Sequence, residues 1–364
     1  MKKIEIKLVN GDKATVFDND KMKVLKSENY NFLFKKEDGF FCRWGKTTED
    51  DGDFSVSWPE IIDMEISTSC HGVGKVCSFC YKSNNPKGDY MNFETFKKVF
   101  AKLPPTITQL AAGIGDIDGN PDMFKIFDYC RKNGVIPNVT INGARMTPEL
   151  YDNLAKYCGA VAVSVYDKNV TYNAIKELTD RGMTQINIHF MISTQTIDQA
   201  YEVIDDVQSD PRLAKMNAVV FLSLKQKGNA KIGFTQLSQE KFNELCKYAL
   251  SKNTRFGFDS CSSTKFFNYL DSDESLTKEF KEQMYQCIEP CESSVFSSYI
   301  SCGDSKNGPK YYPCSFCEGI KGWEDGIDIL SADNFIDDVW YNEKTQNFKK
   351  KLLSCGRDCP IYTI

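Results

Sequence analysis

The chain holds only two histidines, His71 and His189, among 364 residues. That scarcity excludes any site built from several imidazoles, Cys2His2 zinc fingers included. Glycine (23) and proline (12) are too few and too scattered for a collagen-like, low-complexity or repeat chain. No apolar run approaches the roughly 18 residues that cross a bilayer. The start, Met1-Lys2-Lys3, leads into alternating Ile4, Ile6 and Leu8 rather than a signal-peptide core. A cytoplasmic protein with no membrane partner is expected. Nor is positive charge in excess. With 45 Lys and Arg against 50 Asp and Glu the net charge is −5, which disfavours a nucleic-acid partner gripped through its phosphate backbone.

What is abundant is cysteine. Fifteen thiols, an odd number with no export signal, do not suit a disulfide framework, which belongs to oxidising compartments. Thiolate ligation of a metal or cluster is the better account. With 41% hydrophobic and 26% charged residues the chain has the composition of a folded globular protein, long enough to bury a large core.

Residues 1–60 read as short strands with turn signals: Ile4–Leu8, Asn10-Gly11, Ala14–Phe17, Asn31–Lys35 and Phe40–Trp44. From Ile61 the pattern becomes buried runs alternating with amphipathic stretches, the signature of βα units around a parallel sheet. The runs are Ile61–Ser67, Ile107–Ala112, Ile136–Ile141, Ala160–Val165, Gln185–Ile192, Ala218–Leu224 and a short Arg255–Phe258. Helix starts are marked by Asn92 before Phe93-Glu94, by Pro121 after Asn120, and by Thr147-Pro148-Glu149. Further helices fit Ala174–Arg181, Asp198–Val207 and Gln239–Leu250. Six or seven units are too few for a closed eight-stranded barrel, so the fold class is α/β, a partial (β/α)6 TIM-like barrel over 61–258. After Phe258 the period is lost and cysteines crowd together, which predicts a separate cysteine-rich domain over 259–364, with Trp323–Leu330 and Phe335–Leu353 as its elements.

Cys70, Cys77 and Cys80 fall in the loop after the first barrel strand, on the face where βα barrels do their chemistry. Three thiolates can hold three irons of a cubane and leave the fourth open to a non-protein ligand. A zinc site using these three and a distant cysteine is the competing account.

A three-cysteine loop in this place, with the aromatic Phe79 just before the last cysteine, resembles the radical S-adenosylmethionine superfamily. The resemblance implies that the open iron of a [4Fe–4S] cluster is chelated by the methionine moiety of S-adenosylmethionine and that Phe79 lies near the adenine. An electron from the cluster then breaks a sulfur–carbon bond to give a 5′-deoxyadenosyl radical. One departure stands out: six residues separate the first two cysteines where the family has three, and Gly72, Gly74 and Lys75 would have to loop out. Gly113-Ile114-Gly115-Asp116 resembles the family's glycine-rich segment ending in an acid, and Thr140-Ile141-Asn142-Gly143 its strand-end Thr-Asn-Gly. Ser164, Asn187 and His189 stand where the resemblance implies polar groups reaching the ribose and carboxylate. A buried polar residue equally needs a partner within the protein.

In the tail, the segments around Cys261, Cys291, Cys314 and Cys359 are similar to the SPASM/Twitch extension of peptide- and protein-modifying radical enzymes. The resemblance implies that these four hold at least one auxiliary [4Fe–4S] cluster, with Cys287, Cys302, Cys317 and Cys355 left open. A structural role for such a cluster is a serious alternative, because clusters replace a missing core in small domains. Cys42, Cys130, Cys158 and Cys246 fit as small buried hydrophobes. The resemblance implies a radical enzyme acting on a peptide or protein substrate, fed by an electron donor such as flavodoxin or ferredoxin. A radical reaction on a small metabolite, sugar or nucleotide, and a non-catalytic zinc or Fe–S binding module, are the other readings. Asp259, beside Cys261, is a guess at a substrate-side group.

Overall fold

The computed structural model describes residues 2–7, 13–47, 58–304, 307–362 and 364, and the Asn10-Gly11 turn lies outside them. Five strands, β1 (Lys2–Lys7), β2 (Lys13–Asp18), β3 (Met22–Lys26), β4 (Asn31–Lys35) and β5 (Phe41–Trp44), form an antiparallel meander in chain order. The sequence pattern missed β3, whose lysines alternate with Val24 and Leu25 and blur its apolar face. Ala14, Val16, Leu25 and Phe32 make the small core of this sheet.

The seven barrel strands are where the apolar runs predicted them: β6 (Ile61–Glu65), β7 (Gln109–Gly113), β8 (Ile136–Ile141), β9 (Val161–Ser164), β10 (Ile186–Ile192), β11 (Ala218–Ser223) and β12 (Phe256–Phe258). They pair in parallel and in chain order. Six helices join them: α1 (Phe93–Phe100), α2 (Met123–Lys132), α3 (Pro148–Tyr157), α4 (Lys168–Asp180), α5 (Ile197–Ser209) and α6 (Gln239–Ser251). The fold is therefore α/β with a mostly parallel sheet, a partial barrel with an antiparallel N-terminal sheet beside it.

Local chemistry explains the starts. Asn92 and Thr147 cap α1 and α3 by accepting from the third backbone N–H, at 2.9 and 3.3 Å. α2 begins later than Pro121 because Asn120 is committed elsewhere. Its side-chain amide donates to the Ile66 and Met91 carbonyls, and its oxygen accepts from Asp122 N at 2.8 Å. α4 begins six residues before the expected Ala174, where Asp167 caps it.

Alternation along each strand divides two environments. In β10, Ile186, Ile188, Phe190 and Ile192 are buried under the helices, while Asn187, His189 and Met191 keep partial exposure on the inner face. Each fully buried Ile or Phe of the outer face contributes about 1.5–3 kcal/mol. The polar inner face is stabilised by nothing comparable and is held in place by the layer outside it.

Past residue 258 the chain is more regular than its sequence suggested. It forms α7 (Ser263–Ser272), α8 (Lys278–Cys287), β13 (Ser297–Ile300), β14 (Lys310–Tyr312), β15 (Ile327–Asp328), a π-helical turn (Ile336–Trp340) and α9 (Glu343–Ser354). β13 pairs in parallel with β6, so one ten-stranded sheet continues from the barrel into the tail. The meander docks at the opposite, N-terminal end of the barrel strands. There Lys23 Nζ donates to the Ile107 carbonyl at 2.5 Å, Arg43 pairs with buried Glu60 at 2.8 Å, and the Arg43 guanidinium lies 4.1 Å from the Phe296 ring.

Candidate active site and the two cysteine groups

The chain leaves β6 into the Cys70–Cys80 loop, and backbone contacts hold that loop tightly. An ideal Cβ on Gly115 would lie 2.1 Å from the Ser69 oxygen and 2.6 Å from the Cys70 Cβ, so only glycine lets the β7 exit pass so close. Asp116 N donates to the Ser69 oxygen at 2.9 Å. On the other side Gly228, at φ +57°, would meet the Cys80 oxygen at 2.6 Å if it carried a Cβ. Asn229 N donates to the Cys80 oxygen at 2.9 Å and its side chain to the Cys77 oxygen at 3.1 Å. Gly228 and Asn229 were not foreseen, although a Gly-Asn pair just after an expected strand was the available signal. The extra residues between Cys70 and Cys77 turn back on themselves. Gly72 and Gly74 both have positive φ, and a Cβ on Gly72 would lie 1.9 Å from the Lys75 oxygen.

The three loop thiols are half-buried and lie within electrostatic reach of one another. Burial, more than this mutual proximity, pushes Cys77 up to about 11 and raises Cys70 as well. A bound cation would reverse that shift. Phe79 stacks on Tyr166 with centroids 5.7 Å apart and meets Phe234 edge-on at 5.5 Å, giving an aromatic shelf beside the loop.

Asp116 is buried and its carboxylate is fully engaged within the protein. His71 donates from its backbone N at 2.6 Å and pairs through Nδ1 at 2.8 Å, Asn142 Nδ2 donates at 2.9 Å, and Arg145 pairs at 2.8 Å. Burial would raise this carboxyl, but the bonds from His71 and Asn142 and the charge of Arg145 outweigh it and hold it below the ordinary range. In this structure Asp116 and Asn142 thus fasten the loop at His71, next to Cys70.

Ser164 and His189 are register partners on β9 and β10, and Asn187 faces Ala162 two residues below. Asn187 accepts from Asn217 at 3.0 Å. Thr140 Oγ1 lies 3.4 Å from His189 Nδ1. Burial lowers His189 to about 4, with Asp259 opposing, so the imidazole is neutral near pH 7.

The four tail cysteines come from four separate segments: Cys261 after β12, Cys291 before β13, Cys314 after β14, and Cys359 after α9. All four line one cavity of about 180 Å3, together with Asp63, Lys225, Asp259, Glu292, Phe316 and Tyr362. Cys317 sits behind Cys314 with sulfurs 3.5 Å apart, and its hydrogen bond brings Cys314 down to about 6 against the effect of burial. Cys302 is buried elsewhere, its N–H 3.3 Å from Glu65, and Cys287 and Cys355 are exposed. Asp63, on the inner face of β6, is pushed up to about 7 by burial first and by Glu292 and Cys314 after it. Lys225 ion-pairs with Asp259. Burial would lower its ammonium, but Asp259 and Cys261 outweigh that and keep it charged.

Among the described residues no three His, Cys, Asp or Glu side chains are placed to chelate one ion. The four tail thiols line one cavity, and the three loop thiols share one short loop.

A polar cleft of about 620 Å3 opens beside the loop, between Tyr81–Asp89 and the tail from Ser301 to Asp325. Its lysines are engaged by protein groups. Lys82 pairs with Glu65 at 3.1 Å and with Glu318, Lys227 donates to the Ser315 oxygen at 2.9 Å, and Lys310 pairs with Asp328 at 3.1 Å. The acids Asp89, Asp304, Glu324 and Asp325 lie along the same walls.

No family model and no curated protein matches the chain in sequence. Solved structures do match in fold. Streptococcus suis SuiB bound to precursor peptide SuiA superimposes with a TM-score of 0.66 at 13% identity, over 91% of this chain and 90% of that one. SuiB bound to S-adenosylmethionine gives 0.60 at 16% identity, over 81% and 68%. Native anSMEcpe with bound AdoMet and Cp18Cys peptide gives 0.56 at 13% identity, over 80% and 82%. The chain shares the fold of these SuiB and anSMEcpe structures.

Proposed function

We propose that this protein is a radical S-adenosylmethionine enzyme that modifies a side chain of a peptide or protein. The observation that carries the reading is the three-thiol loop, locked by Gly115 and Gly228 at the C-terminal mouth of a partial barrel. Cys70, Cys77 and Cys80 would hold the [4Fe–4S] cluster, and Cys261, Cys291, Cys314 and Cys359 an auxiliary one. With S-adenosylmethionine bound, the first cluster would supply the electron for its reductive cleavage, the chemistry that starts hydrogen-atom abstraction from the substrate. The protein's part is placement and the exclusion of water and oxygen.

Phe79, with Tyr166 and Phe234 behind it, offers a flat apolar surface for the adenine. Gly113 and Gly115 let a ligand and the loop backbone approach closely, while Asp116 and Asn142 keep the loop in register. Ser164, Asn187 and neutral His189 present donors and acceptors from the inner face to the ribose and carboxylate. In this reading residues 61–258 are the catalytic barrel, 259–364 the auxiliary-cluster region and 1–60 an appendage. The peptide preference draws on the peptides bound in SuiB and anSMEcpe and on the 620 Å3 cleft, which is lined by Thr68 and Tyr81 on either side of the cysteine loop. The electron would come from a flavodoxin or ferredoxin.

Anaerobic reconstitution with iron and sulfide tests the reading. The wild-type chain should bind about two cubanes and form 5′-deoxyadenosine under dithionite. The C70A/C77A/C80A variant should keep half the iron and form none. A colourless protein that binds zinc and leaves S-adenosylmethionine intact under dithionite overturns the proposal. Co-expression with short peptides encoded beside the gene, read by mass spectrometry, decides for or against a peptide substrate.

A further inference from the structure

We infer that Lys225 raises the reduction potential of the auxiliary cluster, an inference that rests on the four-cysteine assignment above. Lys225 lies just past the end of β11, and its side chain is 2% exposed. Its ammonium ion-pairs with Asp259, lies 4.9 Å from the Phe316 ring centroid and lines the same cavity as Cys261, whose thiol feels its charge. Among the described residues that line the cavity it is the only lysine or arginine, whereas Asp63, Asp259 and Glu292 are carboxyls.

Reduction adds an electron to a group already made negative by four thiolates, in a pocket that solvent screens poorly. Net charge and hydrogen bonds to the sulfurs set the potential of such clusters. A cation lining the cavity beside a ligand sulfur stabilises the reduced state more than the oxidised one. Asp259 cancels part of that charge, but at Cys261 the Lys225 ammonium outweighs it, and Asp259 holds the ammonium in place. Lys225 also follows a barrel strand, so the barrel itself, and not the tail alone, determines how readily the tail's cluster accepts an electron.

The test uses the full chain carrying C70A/C77A/C80A, so that only the auxiliary site is loaded. After anaerobic reconstitution with ferrous iron and sulfide, its midpoint potential is read by EPR in a dithionite titration. K225M should disfavour reduction by about tenfold or more, roughly 59 mV lower for one electron. K225R should stay near the parent value. K225M/D259N, which removes both members of the ion pair and carries the test if K225M does not fold, should also titrate lower, by less, because at Cys261 the Lys225 charge outweighs that of Asp259. Potentials for K225M or the double variant that coincide with the parent overturn the role of Lys225. A background protein that takes up no iron overturns the four-cysteine assignment itself, and the inference with it.

Discussion

The two cysteine groups are built in opposite ways. Cys70, Cys77 and Cys80 lie within one short loop, half-exposed, and their geometry is imposed by neighbours: Gly115, Gly228, Asn229 and the Asp116–His71 clamp. Cys261, Cys291, Cys314 and Cys359 are nearly a hundred residues apart end to end and meet only because β13 docks on β6 and the C-terminus folds back over β14. The first group is a local motif that the fold must hold still. The second is a product of the fold, and its thiols are presented by elements that exist for other reasons. A lesion in the contacts that hold the Cys70–Cys80 loop should therefore strike the first group alone, and a lesion at a single tail cysteine only the second.

The sharpest way to break this contrast is Gly115→Val. The new side chain collides with the Ser69 carbonyl and Cys70, so reconstituted iron should fall by about half and S-adenosylmethionine cleavage should vanish, while the tail site still fills. Equal loss from both sites would mean that the two are not independent. The converse variant, Cys314→Ala, should remove the tail cluster and leave the loop cluster's EPR signal, since no loop residue touches that thiol.

Smaller effects concern the clamp and the inner face. Asp116 has a depressed folded-state value, so its contribution is present above the unfolded carboxyl value and is lost as pH falls through the folded one. Asp116→Asn should lower stability near pH 7 by about 1–3 kcal/mol and flatten the stability loss below about pH 4, both read by urea titration of the metal-free chain. His189 is also depressed, to about 4, but here the neutral form is favoured on folding. Stability is therefore full above the unfolded value near 6.5 and declines as pH falls from there towards 4. His189→Gln should remove that decline, on the order of 3 kcal/mol across the window. Smallest of all, Cys287→Ser and Cys355→Ser, both exposed, should change neither iron content nor stability by more than about 0.5 kcal/mol.

Much of the barrel could be read without coordinates because its outer face is apolar at every second residue. All seven runs became strands. The tail was harder for a physical reason. β13 is Ser-Ser-Tyr-Ile, fully buried yet with a hydroxyl on three of its four residues, and α8 buries no residue completely. Neither leaves a periodic apolar signature, because partners supplied from distant segments do the stabilising. The aromatic shelf shows the same limit. Phe79 stood out through its place before Cys80, whereas Tyr166 and Phe234 come from loops after other strands.

By itself the sequence determined the barrel strands, their outer core and the loop that carries Cys70, Cys77 and Cys80. Those features depend on short-range patterns and on residue chemistry. Only the tertiary structure decided that the tail extends the barrel sheet, that the Asp116 carboxylate is bound within the protein, and that Lys225 lines one cavity with the four tail cysteines. Each of these depends on long-range packing, in which a side chain's role is set by whichever group the fold brings within hydrogen-bonding distance.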